Sequence, residues 1–174
     1  GQVTENLVLN LSAIGRSSSE KDKATWEDRG VKAVFSKNFD WLSGGWKDGY
    51  LHITNGSTLE IPNTLFKDDA TSTGCTFELE FFATNIKDKN ATLISSLDGE
   101  VGFKATSQKA QIKTASGVEV STNYAGGESY RMTFVVGAKS GGRRLELYIN
   151  GIRSGAVRYG TNDNILHQTA KGIT

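Results

Sequence analysis

The sequence predicts an all-β fold, a two-sheet antiparallel β-sandwich of the jelly-roll type. The first observation is the segment LELYINGIRSGAVRY, residues 145–159, which alternates apolar and polar residues on both sides of Asn150-Gly151. Asn-Gly supplies the two positive φ angles of a type I′ turn, so the segment predicts a β-hairpin. The second is that turn dipeptides recur between short runs of strand periodicity, and the third is that no long segment has a convincing helical period.

The other elements follow from short runs bounded by turn residues. The predicted strands are NLVLNL (6–11), CTFELEFFAT (75–84), ATLISSL (91–97), VGFKAT (101–106), AQIKTA (110–115), VEVSTN (118–123) and YRMTFVVGA (130–138). The runs GYLHIT and STLEIP flank Asn55-Gly56 and predict a second hairpin. Residues 17–30 begin with Ser17 as a helix cap and Glu20 three positions on, but they are too polar for a core helix, so a loop with at most one turn is expected.

The length and the charge of the chain limit the classes of protein to which it can belong. The 174 residues fit a single domain over residues 1–174, which can bury a core without disulfides. The 20 basic and 19 acidic residues give a net charge of +1 with no Lys/Arg block, so no nucleic-acid partner is expected. No apolar run reaches the ~20 residues that span a bilayer, so no membrane insertion is expected. Cys75, the single cysteine, is expected to be a small buried strand residue.

The strand YRMTFVV, a short polar turn and LELYINGIRSG together resemble the signature region of the concanavalin A-like lectin/glucanase superfamily, in particular its laminin G-like domains. Upstream, DGYLHITNGSTLEIP followed by TFELEFF is similar to the strand pair that precedes the FTIEFW-like strand of that family. The resemblance covers roughly residues 5–174. It implies a laminin G-like, concanavalin A-like jelly roll.

A narrower resemblance concerns NLVLNLSAIGRSSSE, NFDWLSGGWKDG, YINGIRSGAVRYG and NDNI. These segments are similar to laminin G-like domains in structural and tail-associated proteins of tailed bacteriophages from gut bacteria. The resemblance implies a virion or extracellular location, with a glycan ligand and other virion proteins as partners. Sandwiches of this family usually add one or two strands after the segment that begins here at KGIT, so the closing strands are expected to be missing or replaced.

Glu78 and Glu80 form a close carboxylate pair on one face of a predicted strand, about 6.6 Å apart at Cα. That spacing lies near the lower end of the roughly 6.5–9.5 Å range of inverting glycosidases. Glucanases of the resembled superfamily carry a third acid, spaced Glu-x-Asp-x-x-Glu, whereas Glu80 is followed here by Phe81, Phe82 and Ala83. The sequence therefore predicts no catalytic residues and no enzyme activity, with glycoside hydrolysis as the less favoured alternative.

Asp98, Glu100 and Asp163 carry oxygen atoms of the kind that calcium prefers. The resembled laminin G-like domains often bind calcium at a loop rim. Spacing assembles no complete ligand set here, so no metal ligand is assigned. No cofactor is expected, and calcium is the open alternative.

The candidate ligand-binding residues are aromatic: Trp26, Trp41, Trp46 and Tyr50, which fall within 25 residues of one another. Sugar rings stack their apolar C–H faces on such rings while polar neighbours bind the hydroxyls. The alternative is that Trp41 and Trp46 are ordinary core residues. The sequence thus predicts a non-catalytic carbohydrate-recognition or decoration module of a tailed-phage virion protein that binds host-surface glycans. A purely structural virion domain that makes protein–protein contacts is the second hypothesis.

Overall fold

A computed structural model of the chain describes residues 7–61, 74–82, 92–95, 102–106, 108–125 and 129–163. The strands are β1 (Glu27–Asp28), β2 (Val31–Lys32), β3 (Val34–Phe35), β4 (Gly45–Lys47), β5 (Tyr50–His52), β6 (Leu59–Glu60), β7 (Cys75–Phe82), β8 (Thr92–Ser95), β9 (Gly102–Thr106), β10 (Lys109–Lys113), β11 (Glu119–Asn123), β12 (Ser129–Val136), β13 (Arg144–Ile149) and β14 (Ile152–Arg158). All pairings of the described strands are antiparallel, and the all-β prediction is confirmed. A 3₁₀ turn at Lys139–Gly141 is the helical element of the described residues, and nothing in those ranges forms a helix able to cross a bilayer.

The chain divides into two compact units, residues 1–65 with residue 174, and residues 66–173. Among the described residues, the first unit contains three two-stranded sheets, β1-β2, β3-β6 and β4-β5. The described part of the second contains two four-stranded sheets with the strand orders β11-β10-β9-β8 and β14-β13-β12-β7. The single domain over residues 1–174 stays a prediction.

The core of the second unit is built from one face of each four-stranded sheet. Phe103 of β9 stacks on Phe77 of β7 and on Phe134 of β12, with ring centroids 4.7 and 4.8 Å apart. Leu145 and Leu147 of β13 are fully buried on the same side as Phe134. The period-two alternation in the sequence thus places apolar side chains between the sheets, and burial of this kind is the main stabilising term.

The hairpin predicted at Asn150-Gly151 is confirmed. Asn150 and Gly151 have φ angles of 52° and 80°, and they join β13 to β14. Strands β7 to β12 each begin within one residue of the predicted start. Residues 17–24 form turns rather than a helix, although the Ser17 N–H donates to Glu20 Oε1 at 2.6 Å as a helix cap pair would.

The strand predicted at residues 6–11 is wrong for residues 7–11, which form no ladder; Asn6 lies outside the described residues. The Asn10 N–H instead donates to Asp28 Oδ2 at 2.8 Å. A backbone N–H that donates to a side chain needs no partner in a strand ladder. The alternation of apolar residues alone does not reveal such a bond.

The hairpin predicted at Asn55-Gly56 is also wrong, because β5 pairs with β4 and β6 pairs with β3. Gly56 has a positive φ of 87°, but Asn55 does not, so the turn lacks type I′ geometry. After the turn, Thr58 bonds to Ser36 at the end of β3: its N–H donates to Ser36 Oγ at 3.0 Å and its carbonyl accepts from the Ser36 N–H at 2.9 Å. Residues distant in sequence therefore selected the partner of β6.

Candidate functional site

Three of the four candidate aromatic residues belong to a ring cluster in the first unit. The cluster consists of Trp26, Phe35, Phe39, Trp41 and Trp46. The Trp26 and Trp46 centroids are 5.1 Å apart at 84°, and those of Phe39 and Trp41 are 4.7 Å apart at 45°. Phe35 joins the two pairs, 5.2 Å from Trp41 and 6.3 Å from Trp46. Because edge and tilted contacts between rings are favourable, the cluster stabilises a unit whose strands are only two or three residues long.

Trp46 is the most enclosed of these rings and is 4% exposed. Its indole N–H donates to the Lys23 carbonyl at 2.8 Å, and the Arg16 guanidinium carbon lies 4.3 Å from the ring centroid. The same guanidinium donates to the carbonyls of Asp22 and Thr25 at 3.2 and 2.7 Å. Arg16 thus ties the loop of residues 16–25 onto the ring, so Trp46 packs as the core alternative expects.

Trp26 and Trp41 are half-buried. The indole N–H of Trp26 donates to the Ser12 carbonyl at 3.0 Å, so the polar edge of this ring is already satisfied. Lys23 Nζ lies 5.4 Å from the Trp41 ring centroid, within the range of a cation–π contact. Each ring therefore keeps only part of its surface accessible.

Tyr50 is the candidate residue that the structure places outside the cluster, and it is 39% exposed. It begins β5, which pairs with β4 through a two-residue turn at Asp48-Gly49, where φ is 55° and 79°. Paired residues share a face of a ladder, so Lys47 lies beside Tyr50, and His52 follows Tyr50 on the same face. All three are exposed, and we call Lys47, Tyr50 and His52 the hairpin face.

The opposite face of the hairpin holds it against the cluster. Trp46 pairs with Leu51, and both side chains point away from the hairpin face. The Trp46 N–H donates to Ser18 Oγ at 2.9 Å, which fixes the start of β4. Tyr50 therefore stands on a ribbon whose other side is anchored, and ordering it for a ligand costs little entropy.

The turn before β4 is organised by Asp40. Its Oδ1 accepts the N–H groups of Leu42 and Ser43 at 3.1 and 2.8 Å, and the bond from Ser43 lowers the pKa of the carboxyl. Lys47 Nζ donates to the Ser43 carbonyl at 3.0 Å, so the turn and the hairpin face are connected. The turn presents Leu42 at 93% exposure.

Sequence reasoning selected Tyr50 but missed Lys47 and His52. The signal was present in Asp48-Gly49, a dipeptide of the type I′ turn, which sets the register that pairs Lys47 with Tyr50. The prediction that GYLHIT pairs across Asn55-Gly56 excluded the pairing of Lys47 with Tyr50 across Asp48-Gly49.

The carboxylates of Glu78 and Glu80 lie on the exposed face of β7, with Arg131 of β12 between them. Arg131 Nε is 3.8 Å from Glu78 Oε1 and 3.6 Å from Glu80 Oε1. The two side chains are 56% and 60% exposed. An inverting glycosidase leaves room for a sugar and a water molecule between its acids, and a guanidinium occupies that space here.

Asp163, considered as a calcium ligand, is 5% exposed and bound within the fold. Its carboxylate accepts from the hydroxyl of Thr114 and from Ser116, whose N–H and Oγ lie 3.0 and 2.5 Å away. These bonds fasten the chain after β14 to the turn between β10 and β11. Asp98 and Glu100 lie outside the described residues, within which no group of three or more His, Cys, Asp or Glu side chains is placed to hold a metal ion.

Comparison of the chain with protein-family models, with curated protein sequences and with solved structures finds no match.

Proposed function

We propose that this chain is a non-catalytic carbohydrate-recognition or decoration module of a tailed-phage virion protein, and that it binds host-surface glycans at the hairpin face. The observation that carries the proposal is the exposed ring of Tyr50 on an anchored hairpin, flanked by Lys47 and His52. A sugar needs an apolar face and polar edges together, and these residue types supply both.

The proposal includes the fold, a laminin G-like jelly-roll sandwich of the concanavalin A type. Two four-stranded antiparallel sheets support it, because Phe103 of one sheet stacks on Phe77 and Phe134 of the other. The family likeness of the hairpin at residues 145–159 is the sequence-level support. A virion or extracellular location follows from the same resemblance.

A single exposed ring predicts weak binding. We expect dissociation constants between about millimolar and about tens of micromolar, because the contacts of a shallow site leave little net binding free energy after the entropy cost of ordering the ligand. Many copies on one particle would raise the apparent affinity by roughly 10²–10⁴-fold. Weak single-site affinity is therefore compatible with adhesion.

The test is a glycan array with the purified chain, with and without calcium. Tyr50→Ala should abolish binding to any glycan that the chain recognises, whereas Tyr50→Trp should retain it because a flat ring is kept. Phe82→Ala is the matched control, since Phe82 is an exposed aromatic residue of the second unit, at 52%. Equal binding by Tyr50→Ala and the unchanged chain, or binding to no glycan, would overturn the proposal.

The second candidate function, a purely structural virion domain, is favoured by Leu42. An almost fully exposed leucine on a turn ordered by Asp40 is suited to insertion into an apolar pocket of another virion protein. Leu42→Ser would then prevent co-assembly with the other virion proteins while leaving glycan binding unchanged. Normal assembly of the Leu42→Ser particle would remove this candidate.

A further inference from the structure

An irregularity in β14 changes the face on which its side chains lie. Leu147 of β13 pairs with Gly155, but the next residue, Tyr148, pairs with Arg153, so Ser154 is an extra residue in the ladder. Gly155 faces the other sheet, because a Cβ built on it would lie 2.9 Å from Val120 Cγ2 of β11. Such a bulge re-aims the side chains beyond it.

The bulge brings Arg153 and Arg158 to the same face. Five residues apart in a regular strand, they would point to opposite sides. Here Arg153 pairs with Tyr148 and Arg158 pairs with Arg144, and Tyr148 and Arg144 share the face of β13 that points away from the buried Leu145 and Leu147. We call Arg144, Tyr148, Arg153 and Arg158 the arginine face. Its two β14 residues are about 13–17 Å apart along the strand.

The charges on this face are unbalanced. Glu146 lies between Arg144 and Tyr148, accepting from the Tyr148 hydroxyl at 2.5 Å and lying 3.5 Å from Arg144 Nε. Arg153 and Arg158 are exposed, and neither side chain has a hydrogen bond or an ion pair to the residues that the structure describes. The two guanidinium groups therefore keep their donors available, and that of Arg153 belongs to the residue opposite the half-buried Tyr148.

We propose that the arginine face binds a saccharide polymer that carries carboxylates, at a site separate from the hairpin face and independent of the function proposed there. The planar fork of a guanidinium matches a carboxylate with two parallel hydrogen bonds. Because the Cα atoms of Arg153 and Arg158 are about 13–17 Å apart on one face, a chain with repeated acid groups can engage both guanidinium groups at once. The ring of Tyr148, opposite Arg153 in the ladder, offers an apolar surface to a sugar bound at that arginine.

The same face argues against two other polyanions. Glu78, Glu80 and Glu146 lie along the same sheet face, and they repel a nucleic-acid strand, with a phosphate about every 3.4 Å, more strongly than a saccharide with one carboxylate per sugar. The net charge of +1 gives no wider field that would attract so dense a charge. A disordered acidic peptide would pay a larger ordering entropy than a stiff saccharide for the same two contacts. A saccharide polymer that carries carboxylates, a polyuronate, is therefore the favoured partner.

The experiment measures binding of a fluorescent galacturonic acid oligomer to the whole chain by anisotropy at low and moderate salt. We expect binding that weakens as salt is added. The Arg153→Gln/Arg158→Gln double variant should lose at least about tenfold in affinity, since charge-assisted hydrogen bonds are removed. Arg153→Lys/Arg158→Lys should lose part of the affinity, because the charge stays and the fork is lost.

The matched control is Arg29→Gln/Lys37→Gln, which removes the same two charges from exposed positions of the first unit and should leave binding unchanged. The methyl ester of the same oligomer should not bind. Unchanged affinity in the Arg153/Arg158 double variant, equal binding of the ester, or tighter binding of polyglutamate or single-stranded DNA would overturn the proposal. Since Tyr50→Ala should leave this binding intact, the two proposals fail separately.

Discussion

Asn150 pairs with Arg131 through two hydrogen bonds of 2.8 Å, one from its backbone N–H to the Arg131 carbonyl and one from the Arg131 N–H to its side-chain Oδ1. The turn residue thus extends the β12–β13 ladder by one position with its own side chain. Asparagine therefore suits this position for two reasons: it tolerates a φ of 52°, and its side chain accepts the hydrogen bond from the Arg131 N–H, which glycine cannot do.

Asn150→Gly should keep the turn and lose the side-chain bond to Arg131. We expect the free energy of unfolding to fall by about 0.5–1.5 kcal/mol. Asn150→Asp, which retains an acceptor oxygen and tolerates the left-handed region, is the matched control and should lose less. Equilibrium denaturation with urea measures both, and equal losses would contradict a role for Oδ1.

Gly151→Val should lower the free energy of unfolding by on the order of 1–2 kcal/mol, because a β-branched residue is strained at the φ of 80° found there. Gly160→Ala is the control, since this glycine has no positive φ and a Cβ would meet nothing within 4 Å. Thermal denaturation of the two variants should separate them. A Gly151→Val protein as stable as the control would contradict the turn geometry.

Glu78→Gln/Glu80→Gln should leave glycan binding unchanged, and the unaltered chain should release no reducing ends from a glycan panel. Arg131 would lose two partners, but exposed ion pairs contribute little, so stability should change by less than about 1 kcal/mol. Reducing-end assays measure the activity. Hydrolysis by the parent that Glu80→Gln abolishes would reverse the non-catalytic assignment.

Trp46→Ala should reduce stability by about 3–5 kcal/mol, because it empties a buried site beneath Arg16 and beside Trp26. Tyr50→Ala should cost less than about 1 kcal/mol, since the ring is exposed. Chemical denaturation followed by tryptophan fluorescence compares them. The pair separates loss of fold from loss of ligand binding, and equal costs would show that Tyr50 is a packing residue.

Stability should decline at alkaline pH. Burial raises the pKa of the Cys75 thiol from 9.0 to about 11, and burial with the neighbouring Tyr130 raises the pKa of the Tyr124 phenol from 10.0 to about 12. Each group therefore keeps its proton to a higher pH in the folded chain than in the unfolded chain. Its contribution to the free energy of unfolding is complete below the unfolded-state pKa and is lost as the pH rises through the folded-state pKa. Melting temperatures between pH 8 and about 12 should fall, and Cys75→Ala/Tyr124→Phe should flatten that decline. An unchanged slope would contradict this assignment.

Most of the second unit could be predicted from local pattern. Alternation of Phe77, Leu79 and Phe81 against Glu78 and Glu80 is enough for β7, because one face of a strand must be buried and the period is two. Asn150 and Gly151 likewise tolerate the positive φ angles of their turn, a local property that the hairpin requires but that is not sufficient, since Asn55-Gly56 forms no hairpin. These are properties of neighbouring residues, so the sequence contains them without reference to the rest of the chain.

Tertiary structure decided which residues come together. The partner of β6 depends on Ser36 and Thr58, 22 positions apart, and the exposure of Tyr50 depends on Trp46 turning inward against Phe35 and Trp26. The common face of Arg153 and Arg158 depends on one extra residue in a ladder, which alternation in a single strand does not reveal. Sequence determines the period of a strand, but pairing between strands and competition for burial determine its partner and its face, and these energies arise only between distant residues.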